Sequence, residues 1–213
     1  WDYYLDYRKS QGFNTLQINI LPQWDASATD LCYEPFEVID GKYNYKKLNL
    51  SYFEHADKMC ARAKEKGFEL ALVIMWCNFV PDTWASQFYS KGLMPIDCID
   101  NYINIIHETF TKYEPLYIIS GDTDFNTEQC IEYYVKCAKQ IKELAPNCLY
   151  TTHIKGRYTY IPDNLYSYLD LCFYQSGHNA QNLGMPYLLA EEMADKYKGK
   201  PVINSEPCYE DMG

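Results

Sequence analysis

Apolar residues recur along this chain in two alternating periods. From Phe13 to Ile20 they alternate, with Leu16, Ile18 and Ile20 on one face and Thr15, Gln17 and Asn19 on the other, as in a half-buried strand. Residues 68–76, 115–122, 148–153, 171–175 and 201–206 are short, nearly continuous apolar runs, as expected of strands buried on both faces. Helical periods separate them. They cover residues 1–11, closed by Gly12; 51–66, capped by Ser51 and closed by Gly67; 95–113; 127–145, capped by Thr127; a weak segment at 161–170; and 183–198. Residues 22–50 are polar and aromatic without a sustained period and are read as a long loop.

Six strands separated by helices predict a parallel sheet covered by helices. An open doubly wound sheet and a closed barrel both satisfy that pattern. No glycine-rich phosphate loop follows any strand, whereas polar residues gather at the strands' C-terminal ends, the face on which barrels keep their chemistry. The expected fold class is therefore α/β, a (β/α)8 TIM barrel. A complete barrel takes eight strands and about 250 residues. The six here predict a barrel missing its first and last strands, in a single domain over residues 1–213.

Composition narrows the function. The net charge of −10 is spread along the chain, which argues against nucleic acid and anionic membrane surfaces as partners. No apolar run approaches the roughly 18 residues of a membrane helix, so a soluble protein is expected. The nine cysteines show no metal or redox spacing. Their odd, scattered placement predicts reduced, buried thiols and a reducing compartment such as the cytoplasm. The chain starts at Trp1, so a removed signal peptide and a secreted or periplasmic location stay open. No cofactor is expected. The 22 tyrosines offer an aromatic, hydrogen-bonding surface that suits sugar recognition as well as packing.

The candidate chemistry lies at two strand ends. Glu206 closes the last apolar run immediately before Pro207, and Asp122 closes the run from Pro115. With the first barrel strand missing, these acids cap strands four and seven, which face one another across the mouth. Paired carboxylates flanking one bond are what glycoside hydrolysis requires. Asn204 shares a face with Glu206 by the two-residue period, and Gln17 and Asn19 point into the barrel. Trp76 ends the second strand of the chain and is a candidate sugar platform. His153 and His178, with Gln175, lie at the next strand ends, and Tyr209 and Glu210 follow Glu206. Glu210 is also the reserve catalytic carboxylate. His55 and His107 fall inside helices and are read as surface or core residues.

Several of these segments occur in a recognisable order. Gly12-Phe13-Asn14, Tyr52-Phe53 with His55 and Asp57, Ser120-Gly121-Asp122-Thr123, Gln175-Ser176-Gly177-His178 and Asn204-Ser205-Glu206-Pro207 with Tyr209 and Glu210 together resemble the apiosidase-like glycoside hydrolases. The resemblance covers nearly the whole chain. It implies a (β/α)8 fold, Asp122 as acid/base, Glu206 as nucleophile, a retaining mechanism, and oligosaccharides or polysaccharides of the plant cell wall as substrates. Ser120-Gly121 stands where the family is expected to carry two glycines.

Two other readings use the same residues. A metal-dependent hydrolase of the amidohydrolase kind would place His153 and His178 on the metal, with further ligands on the first and last strands. A barrel kept only to bind carbohydrate would use the cleft without the chemistry. The sequence leaves the sugar, the linkage and the oligomeric state open.

Overall fold

The computed structural model describes residues 1–24, 34–178 and 183–209. It is an α/β fold in which parallel strands are backed by helices. Strands β1 (Thr15–Asn19), β4 (Glu69–Trp76), β5 (Leu116–Gly121) and β6 (Leu149–Thr151) lie side by side in that order, and β7 (Cys172–Gln175) pairs in parallel with β8 (Val202–Glu206). The Asp122 strand pairs in parallel with both of its neighbours.

The helices follow the hydrophobic periods. Helix α1 (Asp2–Ser10) precedes β1, and α2 (Leu50–Glu65), α3 (Ile99–Phe110), α4 (Glu128–Leu144), α5 (Asp163–Tyr166) and α6 (Met185–Lys196) sit between later strands. Thr127 caps α4 as its sequence position implies, its hydroxyl accepting from Cys130 N at 3.2 Å. Helix α2 differs. It begins one residue before Ser51, with Asn49 at the cap position and no side-chain cap. The buried core runs along β4 and β5 and the inner faces of α3 and α4, with Leu72, Ile74, Tyr102, Ile119 and Tyr134 among its fully or almost fully buried side chains.

Two sequence expectations are corrected here. The six strands do not form one continuous sheet, because β6 and β7 are not paired as strands; among the described residues β1 and β8 are not paired either, at the place where the expected first and last strands would stand, so the sheet is not closed. Asp170 supplies the reason at the first break. Its backbone N–H donates to Tyr150 O at 2.8 Å, and its carboxylate accepts from Tyr150 N at 2.9 Å. Both polar groups that Tyr150 would offer a neighbouring strand are taken by one residue.

The second correction concerns the presumed loop at 22–50. It holds an antiparallel hairpin, β2 (Phe36–Ile39) and β3 (Lys42–Leu48). Asp40 and Gly41 make its turn at φ 49° and 75°, the left-handed pair that a two-residue type I′ turn needs. Phe36, Tyr43 and Tyr45 are buried against Phe79 and Tyr89 from the loop after β4.

The eight described cysteines are unpaired, seven of them buried and Cys208 exposed. Among the described residues, no helix is long and apolar enough to cross a membrane.

Candidate active site

The C-terminal ends of the strands open into a cleft of about 710 Å³ whose lining includes Gln17, Asn19, Trp76, Asp122, Gln175, His178, Glu206 and Tyr209. Strand alternation explains how β1 contributes. Gln17 and Asn19 line the cleft, whereas Ile18 lines only an apolar cavity of about 270 Å³ against α2, which Asn19, at the strand end, borders too.

Asp122 stands one residue beyond β5, in the left-handed region at φ 48°. Few residues besides glycine, aspartate and asparagine tolerate that conformation. Pairing with the neighbouring strand resumes beyond it as a bridge between Thr123 and Ile154, so the left-handed residue sits between two paired positions. The Asp122 main chain is also held, since Trp84 Nε1 donates to its carbonyl at 2.7 Å. Gln175 Nε2 donates to Asp122 Oδ1 at 2.6 Å and to Ile154 O at 2.8 Å, which uses both amide hydrogens. Burial raises the Asp122 carboxyl above its ordinary value. His153 and the Gln175 hydrogen bond oppose that rise, and the nearby Glu206 adds to it.

Glu206 ends β8, and its two oxygens have different partners. Oε2 lies 2.9 Å from His153 Nε2; Oε1 accepts from the Tyr209 hydroxyl and is 3.9 Å from His178 Nδ1. Whenever Glu206 is ionised it only accepts, and His153 then donates to it from Nε2. Its other nitrogen, Nδ1, is 3.0 Å from Ser205 Oγ. The fully buried His153 ring stacks on Trp76 at 5.9 Å, and His178 stacks on Tyr209 at 3.8 Å.

Asn204 goes elsewhere. The strict two-residue period placed it beside Glu206, but its amide donates to Ser176 Oγ at 3.0 Å. The cause is an irregularity in the ladder: Tyr174 opposes Asn204 and Gln175 opposes Glu206, so Ser205 is the extra residue of a bulge. A bulge turns consecutive side chains toward one side, and Ser205 joins Glu206 in lining the cleft. Glu210 lies outside the described residues.

Sequence reasoning passed over Ser205, Trp24 and Trp84, all of which line the cleft. The tryptophans sit in aperiodic loops that carry no strand or helix signal, and only their size and hydrophobicity could have drawn attention to them. His153 is held behind the cleft wall rather than lining it. Among the described residues, no group of three or more histidine, cysteine, aspartate or glutamate side chains is arranged to hold a metal ion.

The sequence model of the apiosidase-like catalytic domain matches residues 1–213. The chain belongs to the apiosidase-like family. Solved structures of glycoside hydrolases share its fold. A glycoside hydrolase family 5 protein from Bacteroides vulgatus superposes with a TM-score of 0.75 at 25% identity, over 98% of this chain and 46% of that one. Another glycoside hydrolase gives 0.75 at 24% identity, over 98% and 48%. The endo-1,4-beta-D-mannanase from Thermotoga petrophila has the same fold at a TM-score of 0.57 and 16% identity, over 95% of this chain and 73% of that one. This apiosidase-like chain thus spans about half the length of the first two. No curated protein matches its sequence.

Proposed function

We propose that this apiosidase-like domain hydrolyses glycosidic bonds in plant cell-wall-type oligosaccharides or polysaccharides, with Asp122 as acid/base and Glu206 as nucleophile. The supporting observation is the convergence of both acids on one cleft. Contacts of 2.6, 3.4 and 2.9 Å lead from Asp122 through Gln175 and His153 to Glu206, so the carboxyl oxygens stand less than about 9 Å apart, compatible with either glycosidase geometry. In this reading the two groups of parallel strands are parts of a (β/α)8 barrel without its first and last strands, and the cleft is its mouth.

The environments of the acids fit a retaining sequence, which the family resemblance also favours. Glu206 has His153 and Tyr209 on its two oxygens, which hold the carboxylate in place for attack on the anomeric carbon. Asp122, its pKa raised by burial, suits proton donation to the departing oxygen. The attack forms a glycosyl ester on Glu206 as the bond to the leaving oxygen breaks. Water then attacks the same carbon, gives its proton to Asp122 and releases Glu206. Both ring nitrogens of His153 have protein partners, Glu206 and Ser205, which weighs against a metal-hydrolase use of that histidine.

The test uses the full-length enzyme. Glu206→Ala is expected to abolish turnover on every glycoside. Asp122→Ala should lose far more activity on a natural glycoside than on an aryl glycoside whose leaving group departs without a proton. Azide should partly rescue Asp122→Ala and yield a glycosyl azide of retained configuration, whereas Glu206→Ala should give the inverted azide. Near-normal turnover by Glu206→Ala would end the assignment.

A further inference from the structure

On the Asp122 side, the cleft wall carries an aromatic group that the two acids do not use. Trp24, from the loop after β1, meets Trp84 edge-on at 5.9 Å and 82°, and Phe88 at 5.7 Å. Trp84 and Phe88 lie 6.5 Å apart in the loop after β4. These loops leave neighbouring paired strands, which is why residues sixty positions apart come together. A buried aromatic cluster would be explained by packing alone. Here Phe88 is 57% and Trp24 39% exposed, while Trp84 is half-buried.

The wall is also fixed in place. Thr83 Oγ1 donates to Cys77 O at 2.6 Å, Ser86 Oγ to Thr83 O at 2.7 Å, and Ala85 is fully buried beneath the loop. The indole N–H of Trp84 ends on the carbonyl of Asp122, at 2.7 Å. A surface ordered beforehand loses little entropy when a ligand lands on it. Trp24 and Trp84 line the same cleft as both carboxylates, so one ligand can extend from the acids onto the rings.

We propose that Trp24, Trp84 and Phe88 form a stacking subsite for a sugar ring on the leaving-group side of the scissile bond. The assignment rests on the glycosidase reading. Asp122 is the group that protonates the departing oxygen, and the aromatic group is joined to it through the Trp84 indole on its main-chain carbonyl. A pyranose or furanose ring presents an apolar C–H face to such rings, while its hydroxyls remain free for solvent or the polar parts of the cleft. The occupant is therefore a further residue of an oligosaccharide, and the enzyme should prefer substrates that supply one.

The experiment compares two probes on the full-length enzyme: a plant cell-wall oligosaccharide that it cleaves, and the glycosyl fluoride of the sugar released. Fluoride is too small to reach the rings. Trp24→Ala and Phe88→Ala are each expected to lower kcat/KM on the oligosaccharide about tenfold, mainly through KM, and to leave glycosyl fluoride turnover unchanged. Trp24→Phe should recover most of the loss. Unchanged oligosaccharide kinetics in both alanine variants would overturn the subsite. An equal loss on both probes would also overturn it, because that is the signature of a damaged site or a role on the other side of the bond. Failure of the unmodified enzyme to cleave either probe, across a panel of cell-wall glycans, would instead sink the glycosidase reading and this inference with it.

Discussion

At the scale of single residues, Asp122 is held where a carboxylate is costly. Its value is raised above the ordinary 3.8, with burial as the largest cause. A folded-state value above the unfolded one means that Asp122 disfavours folding once ionised. Its contribution is most favourable below pH 3.8 and is lost as pH rises through the raised value. Asp122→Asn keeps the acceptor for Gln175 and tolerates the left-handed backbone. It should therefore be nearly inactive on natural glycosides yet more stable than the parent at pH 7, with the advantage disappearing below the unfolded value. Denaturant unfolding of both proteins across that range is the check, and a variant less stable at pH 7 would contradict the account. The carboxylates themselves were legible, since an acid closing an apolar run stands out in a sequence. Ser205 was not, because its place in the cleft depends on a bulge set by pairing with β7.

At the scale of elements, the meeting of β4 and β5 decides the shape of the cleft floor. Trp76 pairs in register with Gly121, and a Cβ on Gly121 would lie 2.0 Å from the Trp76 ring. Gly121→Ala must displace that indole, which in turn stacks on His153. Overpacking of this kind costs about 1–3 kcal/mol. Lower stability is expected together with a changed tryptophan emission and a reduced kcat. Normal values for all three would show that the strands can separate freely. The long strands and helices were legible because their periods are sustained. The hairpin was not: Asp40-Gly41 is a strong turn signal, but its flanking strand β2 is only four residues long and lies in a tract rich in tyrosine and lysine. Sequence periodicity also could not show that Asp170 takes the partners of Tyr150 and interrupts the sheet.

At the scale of the whole molecule, the candidate site lies where two groups of strands meet. His153 follows β6, yet its ring reaches Ser205 and Glu206 on β8, while Gln175 on β7 reaches Asp122 beyond β5. The side chains that position the acids thus also tie the two-stranded sheet to the four-stranded one, so stability and activity should be coupled there. His153→Ala removes the buried partner of Glu206 and leaves a cavity beside Trp76. Loss of such a partner costs about 1–3 kcal/mol, and kcat should fall because Glu206 is no longer held. Ser205→Ala removes only the contact at Nδ1, so a smaller loss in both measures is expected. Tyr209→Phe supplies the contrast. It removes a donor to Glu206 from an exposed residue that ties no strands together, so activity should fall with little change in stability. Denaturant midpoints and kcat for these three variants of the full-length enzyme test the coupling. If His153→Ala unfolds at the parent midpoint, the histidine positions Glu206 without joining the sheets; if its kcat is also unchanged, it does neither.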